Sequence, residues 1–232
     1  APATAHPKLF LDAQGQPLHF YDAVVGGRSV GSPGVVALFE QLHQQYGKLA
    51  WPGLFEPAIE LAQQGFHVSP RLAQLIAGDE QRLGRFPATR NYFFDSKGQP
   101  LQAGYLRKNP DYADSLKLIA EQGARGFYQG PTANAIVDAV RWQNDNPGLL
   151  TLEDLANYQV KQRPAVCSPY QQYSICGMGP PSSGASTLGQ IMGIISHFPL
   201  AEWGPNNPHS WRVIGDASRL AFADRGRYLA DS

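Results

Sequence analysis

The chain has 232 residues, 19 basic and 19 acidic, with formal net charge +0. That length allows one large domain or two small ones with a full core, and the balanced charge argues against a nucleic-acid or polyanion surface. Hydrophobic residues make up 43% and are spread evenly, so disorder is not expected, and no run of about eighteen apolar residues is present to cross a membrane as a helix.

Ala1-Pro2-Ala3-Thr4 opens without methionine or a charged-then-apolar leader, so a signal peptide is absent or already removed. Leu229 to Ser232 stops just past a helix-like run. Both ends read as cut, and a piece of a longer precursor is expected. Leu9 to Asp12 and Tyr92 to Asp95 open two similar hairpins, each with Asp starting the turn and a glycine, Gly15 or Gly98, for the left-handed position. The echo reads as shared turn chemistry rather than a repeat.

Gly26 to Gly31 has neither the lysine and hydroxyl of a phosphate loop nor dinucleotide-binding spacing, so no cofactor-binding residue is assigned; the glycines are expected to permit close backbone packing. Ser32-Pro33-Gly34 reads as a cap and first-turn proline, and Val35, Phe39, Leu42 and Tyr46 form a helical stripe. A second helix follows through Leu54, Ala58 and Ala62 and stops at Gly65. Ser69-Pro70 caps a third, expected to run to about Gly84. Asn109-Pro110 starts a fourth, with Leu116, Ile119 and Ala120 inward. Pro131 starts a fifth, with Ala133, Ile136, Val137 and Val140 on one face.

Asn144 to Gly148 is the most loop-like internal stretch. It separates a mostly helical part, about 30–143, from a mixed part, about 151–232, within one partial domain spanning 1–232. Thr151 to Tyr158 reads as a short helix with Thr151 as cap and Asp154 in a weak capping-box variant. A strand is expected from Gln159 to Val166, leading into a hairpin turned at Gln171-Gln172. That register sets Cys167 opposite Cys176, neighbours that can oxidise only if local geometry permits. Two reduced packing cysteines are the expected state, a disulfide the alternative. No His or Cys stands at zinc-ligand spacing from them, so no metal residue is assigned.

Pro180-Pro181-Ser182-Ser183-Gly184 then reads as strand end, rigid turn and helix start, with Ser182 or Ser183 accepting from the new helix's free amides. Leu188, Ile191, Met192, Ile195 and Phe198 form its apolar stripe. Neither serine reads as a nucleophile, since a Gly-x-Ser-x-Gly elbow is lacking. A last helix carries Ile214, Ala217, Leu220, Ala221, Asp224 and Tyr228, with Asp224 and Arg227 positioned to pair. Gly226 weakens that helix by about 1 kcal/mol relative to alanine.

The Pro-Pro-Ser-Ser-Gly turn between a short strand and an apolar helix resembles the large subunit of γ-glutamyltranspeptidase. So do Val30 to Gly34, Tyr46 to Leu49, Pro57 to Ile59 with Ala62, Gly65 and Phe66, then Phe127-Tyr128 with Gly130, Ala221 to Arg225, and Arg227 to Leu229. The ordered set covers about Leu9 to Leu229. The chain departs from the family at Ala185 and in the hairpin turn at Gln172, where glycine is usual, and its 144–148 loop is longer. A positive φ at Gln172 costs on the order of 1 kcal/mol.

The resemblance implies an α+β fold, the N-terminal-nucleophile hydrolase type of αββα sandwich, with this chain supplying a mostly helical part. It implies a precursor that cuts itself, a small-subunit partner whose new N-terminal threonine is the nucleophile, glutathione or another γ-glutamyl donor as substrate, no cofactor, and export to the periplasm or outside. The family's donor-gripping arginine falls just before Ala1. No catalytic residue is therefore assigned here. Thr4, Thr89, Thr132, Thr151 and Thr187 do not stand in a sequence like the processing site. A related acylase or polyglutamate-processing enzyme, or a non-catalytic scaffold, is the alternative.

Overall fold

The structure is a computed structural model describing residues 1–142 and 145–229. The chain divides into two compact units, Ala1–Val160 and Lys161–Ser232.

The first unit is built from short helices, several of them started by proline. Its α-helices are α1 (Phe20–Val24), α2 (Val35–Tyr46), α3 (Glu56–Gln64), α4 (Pro70–Gly78), α5 (Glu80–Leu83), α6 (Pro87–Phe93), α7 (Pro110–Gln122), α8 (Arg125–Tyr128), α9 (Gly130–Arg141) and α10 (Leu152–Ala156). Proline stands in the first turn of α3, α4, α6, α7 and α9, where its fixed φ fits and its missing N–H has no intrahelical partner to lose. The expected caps at Ser69 and Asn109 accept from Leu72 N (3.1 Å) and Tyr112 N (3.2 Å). Gly65 ends α3 at φ +94°, and Gly123 ends α7 at φ +65°, conformations that cost a side chain-bearing residue dearly. Among the described residues of this unit, the one ladder pairs β1 (Phe66–His67) antiparallel with β2 (Leu106–Arg107).

Two cores form in this unit. In one, Ala124, Tyr128, Ala133, Val137, Val140, Leu150 and Leu155 are buried, with Val36 and Ala37 of α2 and Tyr158 against them. In the other, Val68, Ile76 and Leu101 are buried with Leu72, Leu83 and Phe93 around them. Because Leu150 and Leu155 lie wholly inside the first core, α10 belongs with the helices before it. The Tyr128 hydroxyl donates to Pro33 O (2.6 Å) and accepts from Ala37 N (3.4 Å), while its ring stacks on Tyr158 at 5.7 Å and 3°. Burial pushes that phenol above its ordinary pKa and keeps it a donor. Gly27 and Gly148 meet backbone to backbone beside Val140, and a Cβ on either would strike main-chain atoms, as the expected close approach requires.

The two matching turns are built alike. Asp12 Oδ1 accepts from Gln14 N and Gln16 N, and Asp95 Oδ1 from Lys97 N and Gln99 N. Each hairpin shrinks to one antiparallel bridge, Leu11 with Pro17 and Phe94 with Pro100, because the preceding residues coil into a 3₁₀ turn (Pro7–Phe10) and into α6.

Several sequence expectations change. Ser32 does not cap α2, which starts at Val35 with Gly34 at its N-cap and lacks a side-chain bond there. The α2 stripe faces outward: Val35 is 51%, Phe39 56% and Tyr46 72% exposed, and the inner face of the helix is carried by Val36 and Ala37. The third helix breaks at Asp79 into α4 and α5. Asn144 of the predicted loop lies outside the described residues. Asn146 beside it adopts φ +54° and donates to Val25 O (2.8 Å).

In the second unit β3 (Val166–Tyr170) pairs antiparallel with β4 (Tyr173–Gly177), followed by α11 (Gly184–Ile195), α12 (Leu200–Trp203) and α13 (Pro208–Tyr228). The strand starts at Val166, not Gln159. Cys167 faces Cys176 in register, as expected, and the two are disulfide-bonded rather than reduced. The left-handed turn residue is Gln171 (φ +51°), one place before the residue expected to bear that strain.

The capping box at Thr151 is complete. Asp154 N donates to Thr151 Oγ1 (3.1 Å), Thr151 N donates to Asp154 Oδ2 (2.9 Å), and Ala3 N donates to Asp154 Oδ1 (2.7 Å). Burial alone raises the Asp154 pKa; the hydrogen bonds from Ala3 and Thr151 outweigh it and hold the carboxyl below its ordinary value. Asp154→Ala is expected to lower stability by about 1 kcal/mol at neutral pH. A folded pKa below the unfolded one means a contribution present above the unfolded value and lost as pH falls through the folded value. Thermal unfolding of both forms across pH checks this: the deficit is expected to shrink in acid, and one that grows there contradicts it.

Candidate functional site

The turn that carries the family resemblance sits on a platform made by the disulfide hairpin and α11. Gly177 lies against Ala185, and Gly189 of α11 lies over Ser168 of β3, where a Cβ would meet the serine side chain. The chain then passes through the cis Pro180–Pro181 bond into Ser182 and Ser183. Ser182 Oγ accepts from Gly184 N at 3.3 Å. Ser183 at the N-cap makes no side-chain bond to the helix; its Oγ accepts from Arg225 Nε of α13 at 2.7 Å.

That donor decides what Ser183 does. A guanidinium donates hydrogen bonds and accepts none, so the Ser183 hydroxyl oxygen is the acceptor and Arg225 braces the turn against α13. Gln190 Nε2 donates to Asp224 Oδ2 at 3.2 Å, so Asp224 ties α13 to α11 rather than pairing with Arg227 along its own helix. Neither tie was legible from spacing, because the partners lie 42 and 34 residues apart.

Between α11 and α13 runs a cleft of about 400 Å³, lined by Ile194, Phe198, Leu220 and Ala221 with Gln190, His197 and Asp224. Phe198 and Leu220 are exposed, so the cleft is an apolar trough with a polar end. Of the stripe expected on α11, Ile195 is buried while Leu188 and Phe198 face solvent. The threonines are scattered. Thr89 Oγ1 donates to Leu83 O, Thr151 forms its box, and Thr187 is buried in α11 with its Oγ1 unpartnered. Among the described residues, no three His, Cys, Asp or Glu side chains gather as metal ligands.

The γ-glutamyltranspeptidase family model matches residues 1–232. The chain belongs to the γ-glutamyltranspeptidase family. It is 33% identical over 231 residues to a Bacillus subtilis glutathione hydrolase proenzyme, covering 100% of this chain and 38% of that protein. The Pseudomonas acylase ACY 1 proenzyme of strain V22 is 33% identical over 208 residues, 90% of this chain and 37% of that one. Among solved structures, the Helicobacter pylori γ-glutamyltranspeptidase superposes with a TM-score of 0.92 at 35% identity, over 100% of this chain and 65% of that chain. The fold is therefore the α+β, N-terminal-nucleophile hydrolase type, and this chain is a mostly helical part of it. The chain spans about two-fifths of the length of the curated relatives it matches.

In this family member the Ser183–Arg225 and Gln190–Asp224 ties hold the turn's helix to α13, and the orphaned Thr187 hydroxyl opposes that packing. Thr187→Val keeps the shape and removes a buried polar group without a partner, so stability is expected to rise by about 1 kcal/mol. Denaturant unfolding reads this as a higher midpoint at unchanged slope; a lower midpoint contradicts it.

Proposed function

We propose that the complete protein cleaves γ-glutamyl amides such as glutathione and transfers the γ-glutamyl group to water, amino acids or peptides. This chain is the supporting large-subunit part, inactive by itself. A threonine at the start of a small subunit, released from the same precursor by self-cleavage, attacks the γ-carbonyl and expels the amine. The resulting ester then passes its acyl group to water or to an acceptor amine. An arginine preceding Ala1 grips the donor's α-carboxylate. The enzyme works in the periplasm or outside the cell.

The observation that carries this reading is the match along the whole chain, in sequence and in backbone, to glutathione hydrolases and a γ-glutamyltranspeptidase. The surface supports the two-part arrangement. The chain exposes 15807 Å², whereas two separate globular proteins of the two units' sizes would expose about 12,000 Å². Large apolar side chains are among what is exposed: Phe39, Leu42 and Tyr46 of α2, and Trp211, Leu220, Phe222 and Tyr228 of α13. Exposed apolar side chains on each unit support cover by another polypeptide.

The acylase relatives support a second reading, hydrolysis of an acyl amide other than γ-glutamyl on the same scaffold. One assay separates the two. The complete protein is given a γ-glutamyl anilide and a glutaryl amide that lacks the α-amino group. Faster turnover of the γ-glutamyl anilide, stimulated by added amino acid or dipeptide acceptors, is expected. Faster turnover of the glutaryl amide favours the acylase reading. The purified large-subunit chain is expected to release no anilide, and full activity in it would overturn the proposal.

A further inference from the structure

The disulfide hairpin has chemistry that the γ-glutamyl reaction does not use. Cys167 and Cys176 are both exposed to solvent, directly opposed in a ladder of only two strands. From Val166 to Gly177 the sequence holds no charged side chain, so no carboxylate of the hairpin repels an incoming thiolate. The two sulfurs are not equivalent. Ser174 Oγ stands 3.8 Å from Cys176 Sγ, two residues along the same strand and so on the same face. Near Cys167 the neighbouring serine, Ser168, is on the other face, against Gly189 of α11.

We propose that the Cys167–Cys176 disulfide is a thiol-exchange site that small thiols of the glutathione class open at Cys167. That the physiological thiol is glutathione rests on the proposed function; the site's reactivity rests on the hairpin alone. A thiolate sulfur attacks Cys167 Sγ in line with the disulfide and forms a new sulfur–sulfur bond. The Cys167–Cys176 bond breaks, and its electron pair leaves on Cys176 Sγ, where the Ser174 hydroxyl donates a hydrogen bond to the departing thiolate. Exchange runs faster through the better-stabilised leaving thiolate, which fixes the adduct on Cys167. Cys176 can then attack Cys167 Sγ, expel the small thiolate and restore the disulfide. A second small thiolate can instead attack the adduct's outer sulfur, leaving Cys167 as thiolate and releasing the small molecule's own disulfide. In that branch two thiols are oxidised and one protein disulfide is reduced, so electrons balance. The consequence reaches the turn, because Gly177 and Ser168 are the hairpin's contacts with Ala185 and Gly189 of α11.

The test uses the complete protein in buffers of fixed reduced-to-oxidised glutathione ratio, quenched in acid, alkylated and mapped by peptide mass. The expected result is an adduct on Cys167 with Cys176 alkylated, carrying the mass of glutathione or of the cysteinylglycine left after its hydrolysis. Ser174→Ala, at an exposed position, is expected to slow opening several-fold and to spread the adduct over both cysteines. An adduct mainly on Cys176, an unchanged rate in Ser174→Ala, or no opening at any ratio overturns the proposal. A parallel arm with 2-mercaptoethanol, beside the γ-glutamyl anilide assay, keeps the two readings apart. Adduct formation on Cys167 in a protein that does not turn over the anilide leaves the exchange site standing and removes glutathione hydrolysis. Anilide turnover without any adduct does the reverse.

Discussion

The hydrophobic effect, acting on surface that this chain cannot bury for itself, governs the rest. Large side chains wholly inside the structure are Ile76, Leu101, Leu150 and Leu155 among the described residues. Against them stands the outward stripe of α2. Burial of one such aromatic or aliphatic side chain is worth about 1.5–3 kcal/mol, so an uncovered stripe is a substantial unfavourable term. Helix α2 nevertheless holds its place, because its other face is fixed. Val36 and Ala37 pack on the first core, Tyr128 ties Pro33 and Ala37, and Glu40 accepts from Ala124 N at 2.9 Å. The helix presents one apolar face inward and a second outward, as an element between two layers does.

What stiffens the first unit is local and polar. The Asp154 carboxylate completes a capping box and holds Ala3, linking residues 151 positions apart in sequence. Asn146 answers the carbonyls at the end of α1 and accepts from Arg28, and the glycine contact at 27 and 148 brings two backbones closer than any side chain allows. In the second unit the same role falls to ties between helices, Arg225 to Ser183 and Gln190 to Asp224. The serines of the Pro-Pro-Ser-Ser-Gly turn are thus structural acceptors, and the chemistry of the enzyme as proposed belongs to residues outside this chain.

Much of this was legible in the sequence where the determining interaction is short-range. Proline starts, the caps at Ser69, Asn109 and Thr151, the glycine end at 65, the two aspartate turns and the cysteine register each depend on residues within a few positions. Failures came where the outcome depends on distant partners. Periodicity gave the α2 stripe but not the direction it faces, since it reports amphipathicity and not orientation. Asp224 has Arg227 at the right spacing, yet a glutamine on another helix takes its carboxylate. Register alone did not decide whether Cys167 and Cys176 were bonded, because that requires their separation in space. The site itself was legible mainly through family resemblance.

The most direct measurement is hydroxyl-radical footprinting of the complete protein, comparing Tyr46 and Phe39 of α2 with the buried Tyr128. If this chain is the supporting layer of a two-part enzyme, Tyr46 and Phe39 react as slowly as Tyr128. Reaction at the rate of solvent-exposed aromatic side chains would contradict it.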